Sequence, residues 1–241
     1  MLSSYFFPLV ARREIASGTI EFTLDVSGSD FVFRAGQWVD VTLVNPPFTD
    51  EGGNTRTLSF VNAPGENGER LVFALRTGKS AYKRSLMALP IGAQIKVSRA
   101  SGLFVLRDDV TRPIVFLIGG IGITPARSMI AGVVARGEQR KLFLFYSNRT
   151  PSEAAYLEDF VRWATMIDLK FIPTITDSGD PTWKYERGRI GASMLERNLL
   201  GVLRPLFYIA GPPDMVLSAW QMLHMMGVAD EDITTEEFSG Y

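Results

Sequence analysis

Residues 114–125 read Ile114-Val115-Phe116-Leu117-Ile118-Gly119-Gly120-Ile121-Gly122-Ile123-Thr124-Pro125. The first five form an apolar, β-branched run too short for a helix core, the pattern of a parallel strand buried on both faces. Gly119, Gly120 and Gly122 let the backbone turn sharply and approach a bulky ligand, while Thr124 and Pro125 predict an N-cap and a first helical position. Such a helix start offers unpaired amides and the positive end of a dipole, which suits a pyrophosphate. An ordinary tight strand-to-helix turn reads the same way. Two better-known phosphate signatures are broken: Pro125 stands where a dinucleotide fingerprint wants Gly or Ala. Thr77-Gly78-Lys79-Ser80 looks like the tail of a P-loop, but the leading glycine would fall on Phe73.

Downstream of this stretch the pattern alternates. A strand at 114–118 leads into a helix at 124–135, a strand at 141–146 into a helix near 152–164, and a strand at 169–174 follows. A helix near 192–199, a strand at 206–210 and a helix at 213–226 complete a parallel sheet covered on both faces. Upstream, Thr19 to Leu24 and Trp38 to Leu43 alternate apolar and polar residues between glycine-containing turns, as antiparallel strands do. Further strands at 57–61, 71–76 and 94–98, with one helix at 80–89, predict a barrel or sandwich. Asp108, Asp109 and Pro113 interrupt the apolar pattern, which predicts two domains, 1–110 and 111–241.

Composition narrows the chemistry. The chain has 241 residues, enough for two modest domains, and 25 basic against 26 acidic residues give a net charge of −1, no footing for nucleic acid. It contains no cysteine and one histidine, His224, so thiol catalysis, cysteine-held zinc or iron-sulfur centres and most histidine metal sites have no ligands in these residues. No metal is expected. The N-terminal stretch lacks a basic region before its apolar patch and no run approaches a membrane span, so a cytoplasmic protein is expected.

Several residues are candidates on their own chemistry. Arg56-Thr57-Leu58-Ser59 follows an irregular loop from Pro46 to Thr55, and an arginine with a hydroxyl three residues later can grip a phosphate while presenting a donor to a ring; an exposed strand arginine with a solvated serine is the plain alternative. Arg76 precedes Thr77-Gly78-Lys79-Ser80, and Ser80 is a natural N-cap whose helix supplies a second anion site. Lys79, Lys83 and Arg84 read equally as a solvated helix face. The second strand of the parallel sheet runs out into Ser147-Asn148-Arg149, where a dinucleotide's ribose would lie. With no carboxylate there for a free 2′-hydroxyl, Arg149 points to a 2′-phosphate and NADPH over NADH, or is a plain surface residue. Ala210-Gly211-Pro212-Pro213 forms a rigid turn whose small lip leaves room for a flat ring. Met215, Met222, Met225, Met226 and Trp220 read as helix packing.

Together these residues resemble the ferredoxin-NADP reductase-like superfamily of flavoproteins across nearly the whole chain. The resemblance rests on an ordered set: Gly36-Gln37, Arg56-Thr57-Leu58-Ser59 for an Arg-x-Tyr-Ser motif, Gly78 to Ser80 before a helix, and Gly102-Leu103-Phe104. Gly119 to Pro125 for Gly-Gly-x-Gly-x-Thr-Pro, Ala210 to Pro213 for a Cys-Gly-Pro turn, and Glu236-Glu237-Phe238 for a terminal Glu-x-aromatic complete it. It implies an antiparallel barrel holding FAD in front of a parallel-sheet domain holding NADPH, NADH being possible, with the two rings stacked in the cleft. Arg56, with Thr57 and Leu58 in its strand, would hold the flavin and its diphosphate, and Ser59 would hydrogen-bond near flavin N5. Arg76, Gly78, Lys79 and Ser80 would share the phosphates. Gly120, Gly122, Thr124, Arg149, Gly211 and Pro212 would meet the nicotinamide nucleotide. Glu236 would orient the reacting atoms or relay a proton, and Phe238 or Tyr241 would cover the isoalloxazine as part of a C-terminal tail. Leu58 and Ala210 depart from the family's aromatic and cysteine.

The activity implied is an FAD-dependent NAD(P)H oxidoreductase without an iron-sulfur domain. It would pass electrons to a separate ferredoxin, flavodoxin, oxygenase component or free flavin, with Lys79, Lys83 and Arg84 as a docking patch for an acidic partner. A non-catalytic nucleotide-binding or electron-relay subunit of a larger complex is the alternative.

Overall fold

The computed structural model describes residues 4–177 and 179–238. The first six strands are β1 (Tyr5–Ala16), β2 (Thr19–Asp25), β3 (Trp38–Leu43), β4 (Thr55–Ser59), β5 (Arg70–Arg76) and β6 (Gln94–Val97). They pair antiparallel in the order β4-β3-β6-β1-β2-β5. Just beyond β4 the Val61 amide donates to the Val72 carbonyl at 2.9 Å, so the two edges of the sheet meet and a barrel results. Inward alternation packs Leu9, Phe22, Leu24, Val39, Val41, Phe73 and Ile95 into a core with no solvent contact. Helix α1 (Ala81–Ala88) lies between β5 and β6, with Ser80 as its N-cap accepting from the Lys83 amide.

The second sheet is parallel throughout, in the order β10-β9-β8-β7-β11-β12. Its strands are β7 (Ile114–Gly119), β8 (Leu142–Asn148), β9 (Leu169–Ile175), β10 (Glu186–Arg187), β11 (Leu206–Gly211) and β12 (Ile233–Glu237). Along β7, Ile114, Phe116 and Ile118 face one core with α2 (Ile123–Arg136) and α3 (Leu157–Trp163), while Val115 and Leu117 face the other with α4 (Ala192–Asn198) and α5 (Pro213–Met225). A strand with both faces covered must be apolar at every position, which is why 114–118 has no alternation. Among the described residues no helix is long and apolar enough to cross a membrane.

Three expectations are corrected. Thr124 is not an N-cap: after a 3-10 turn at Gly120–Gly122 the helix starts at Ile123 with Gly122 as its cap, and the buried Thr124 hydroxyl donates to the Ile121 carbonyl at 3.2 Å. The helix near 152–164 is broken, because Tyr156 sits at φ 60°, leaving a 3-10 turn at Pro151–Glu153 and a separate α3. The segment after α5 is not simply a tail. Residues Ile233–Glu237 form an edge strand pairing with β11, Ala210 opposite Glu236, a placement that depends on a neighbour and not on local pattern.

Candidate functional site

Strand pairing brings the carboxyl ends of β7, β11 and β12 side by side, with Ile118, Ala210 and Glu236 in register. The end of barrel strand β4 meets them there. The Ser59 hydroxyl donates to Glu236 Oε1 at 3.0 Å, a bond across 177 residues of sequence between the two sheets. Glu236 Oε2 is buried and has no hydrogen-bond partner. Burial pushes the Glu236 carboxyl up to about 7, only partly opposed by the Ser59 bond. A carboxyl held near neutrality, with one oxygen anchored and the other unpartnered, is placed to hold or move a proton.

The Gly-rich turn below this point is crowded. A Cβ on Gly122 would lie 2.5–2.7 Å from the Ala210 and Gly211 backbone, so only glycine fits, and Gly120 takes φ 52°. A Cβ on Gly119 would strike Met215 Sδ and approach Pro212. Met215 therefore lines the floor between the Gly turn and the Gly211-Pro212 turn, a role the sequence reading did not assign. Met222 is buried, but Met225 is 83% exposed and does not pack as expected.

On the barrel side a cationic corner forms at the start of α1. Arg56 lies over the Tyr82 ring at 5.0 Å and depresses the Lys83 pKa, a shift whose larger cause is burial. Arg56 Nη1 donates to the Gly52 and Thr55 carbonyls, both at 2.7 Å. Asp50 reaches the same corner: its Oδ2 accepts the Ala81 amide at 2.7 Å, so a carboxylate of the chain itself holds the helix amide expected to face a phosphate. Lys83 is half-buried and folds over Gly78, while Lys79 is exposed and Arg84, also exposed, lies on the Phe48 ring at 4.0 Å. Thr57 points away from Arg56 and donates to Asp40 at 2.7 Å, and Leu58 packs on the barrel core. Their opposite directions follow from strand alternation.

Arg76 spans the cleft, 3.3 Å from Glu153 and next to the position a Gly120 side chain would take. Phe238 donates its amide to Gly211 and packs against Val61, Val72, Ala74 and Ile121, where barrel and Gly turn meet. Tyr241 lies outside the described residues. Arg149 is exposed at the end of β8, bonded through its carbonyl to the Asp177 amide. Asp177 and Asp180 line a cavity of about 330 Å³ there with Thr150 and Ser152. The β8 end itself carries no carboxylate, as expected; these two acids come from the chain after β9.

The barrel therefore meets the parallel sheet at one face of the molecule, with a cationic corner, a glycine cradle and a partly unpartnered carboxyl. These features fit a diphosphate and two stacked flat rings.

Comparison with known proteins agrees with this geometry. Residues 116–220 match the family model of the oxidoreductase NAD-binding domain. The chain is 27% identical over 242 residues to the reductase component DmpP of phenol 2-monooxygenase from Pseudomonas sp. (strain CF600), covering 96% of this chain and 66% of that one. It is 28% identical over 215 residues to ferredoxin-NADP reductase B of Sorangium cellulosum, covering 86% of each. The crystal structure of the Amycolatopsis cytochrome P450 reductase GcoB superposes with a TM-score of 0.82 at 22% identity, covering 99% of this chain and 71% of that one. The chain spans about two thirds of the length of the phenol monooxygenase reductase it matches. With barrel, parallel sheet and ordered motifs in one chain, it shares the fold of these reductases and is similar to them in sequence.

Proposed function

We propose that the chain is an FAD-dependent NAD(P)H oxidoreductase that passes electrons to a separate protein acceptor. The observation that carries this reading is the Ser59–Glu236 bond, which joins the flavin-motif strand to the strand ends where a nicotinamide would lie. Residues 1–110 act as the FAD-binding barrel and 111–241 as the nucleotide domain. When bound, FAD would take hydride from reduced nicotinamide at N5 and release the two electrons singly. The chain's own residues bind, orient and exclude water. Arg56 and Lys83 neutralise the diphosphate, Gly120 and Gly122 let the nucleotide backbone approach, and Phe238 with Met215 keeps the ring face dry. Ser59 holds one Glu236 oxygen and leaves the other unpartnered, with a proton available near neutrality.

Similarity to a monooxygenase reductase component supports an oxygenase component as acceptor, and similarity to a ferredoxin-NADP reductase supports a ferredoxin. A cytoplasmic location follows from the use of reduced nicotinamide nucleotides. The purified protein is expected to be yellow, to bleach anaerobically with NADPH or NADH, and to reduce ferricyanide unaided. A colourless protein that takes up no added FAD refutes the reading, and flavin binding without dye reduction leaves only a relay subunit.

A further inference from the structure

Arg127 lies one turn into α2, about 6 Å along the axis from the helix start at Ile123. Its side chain is almost entirely buried and every arm is used. Nη1 donates to the Val61 carbonyl at 3.0 Å, Nη2 to Glu66 Oε1 at 2.9 Å, and Nε to Asp159 Oδ2 at 2.9 Å. The guanidinium also lies over the Tyr156 ring at 5.0 Å and the Trp163 ring at 5.1 Å. Next to it, the Ser128 hydroxyl donates to the Asn62 carbonyl at 2.7 Å. Val61 and Asn62 continue the barrel strand directly beyond Ser59, and Arg127 continues the helix directly beyond the glycine cradle.

Resting on the function proposed above, we infer that Arg127 is a positioning residue that sets the distance between the two ring-holding segments. The clamp joins the two segments within a few residues of the places where they hold their rings. Little play remains between clamp and cleft. A buried ion cluster of this kind is a poor source of net stability, since desolvating three charged groups consumes most of what their attraction returns. Its distinctive contribution is directional: a planar fork bonded on three sides admits one orientation of helix against strand, which apolar packing would leave adjustable. Ring-to-ring hydride transfer is sensitive to such adjustment, because a misplacement of about 1 Å costs about 100-fold in rate.

The test uses the FAD-loaded full chain and two variants, Arg127→Lys and the triple Arg127→Met, Glu66→Gln, Asp159→Asn, which neutralises the whole cluster. The triple leaves no buried charge unpaired, so it keeps the fold readable should the lysine variant fail to fold. Stopped-flow reduction by NADPH, the long-wavelength absorbance of nicotinamide stacked on oxidised flavin, and FAD retention are measured on each. The expected result is wild-type FAD retention with reduction about 100-fold slower at saturating NADPH and the stacking absorbance lost. Variants reduced at the wild-type rate with full stacking absorbance overturn the inference while the oxidoreductase reading stands. Loss of FAD in the folded triple overturns it too, by making the cluster a general support of the barrel. A wild-type protein that NADPH does not reduce removes both.

Discussion

At the residue scale the decisive group is Glu236, whose carboxyl binds its proton more tightly in the fold than in the unfolded chain. The ordinary value of 4.5 rises to about 7 on burial, so the native state gains relative to the unfolded state at low pH. That gain is fully present below 4.5 and is lost as pH rises through about 7. Replacing the group by glutamine removes the titration. Chemical denaturation of wild type and Glu236→Gln between pH 5 and 8 should show the wild type losing up to about 3 kcal/mol relative to the variant, with the difference levelling above pH 7.5. Equal slopes would mean that the carboxyl reaches water. Arg56 is the second residue with a separable role. Arg56→Ala should weaken FAD retention by ten-fold or more, about 1.4 kcal/mol, measured by ultrafiltration of the holoprotein, if the phosphate contact proposed for it is made.

At the scale of elements, the loop before β4 and the start of α1 share one anion position. Asp50 occupies the Ala81 amide with its own carboxylate, stabilising the helix and opposing a second anion at the same place. Asp50→Asn should therefore lower thermal stability by about 1 kcal/mol while tightening FAD binding, two changes of opposite sign read in the same calorimetric series. Weaker FAD binding would make Asp50 a support of the site and not a competitor. At the ends of β8 and β9 the Asp177 amide donates to the Arg149 carbonyl, and Asp177 and Asp180 line the adjoining cavity. An arginine suits a 2′-phosphate and a carboxylate suits a free 2′-hydroxyl, so use of both coenzymes is expected. Arg149→Ala should raise KM for NADPH several-fold more than KM for NADH, and Asp177→Asn should do the reverse.

At the scale of the whole molecule, two sheets with separate cores are joined by several side-chain bonds. They are Ser59 to Glu236, Arg76 to Glu153, Arg127 to Glu66 and Tyr156 to Glu21. A ligand seated between them stabilises both halves by mass action. FAD at about 100 times its dissociation constant should add about 2.7 kcal/mol, seen as a rise in Tm of a single transition. A rise confined to one of two resolved transitions would show that the halves unfold independently.

The sequence alone determined what local chemistry determines. The all-apolar run 114–118 could only be a doubly covered strand, the alternation of Thr19 to Leu24 and Trp38 to Leu43 could only face a single core, and Ser80 before an amphipathic run had to cap a helix. Motif order was enough to single out Ser59 and Glu236 as candidates, and the two are hydrogen-bonded across the sheets. Tertiary structure alone decided the rest, because each remaining feature depends on a group distant in sequence. Ile233–Glu237 becomes a strand only because β11 offers an edge, and Thr124 turns inward because Gly122 fits against Ala210. Asp50 finds the Ala81 amide and Asp177 comes to stand near Arg149 through folding of separate loops. The proton affinity of Glu236 is a property of burial, and burial has no signature in the residues on either side of it.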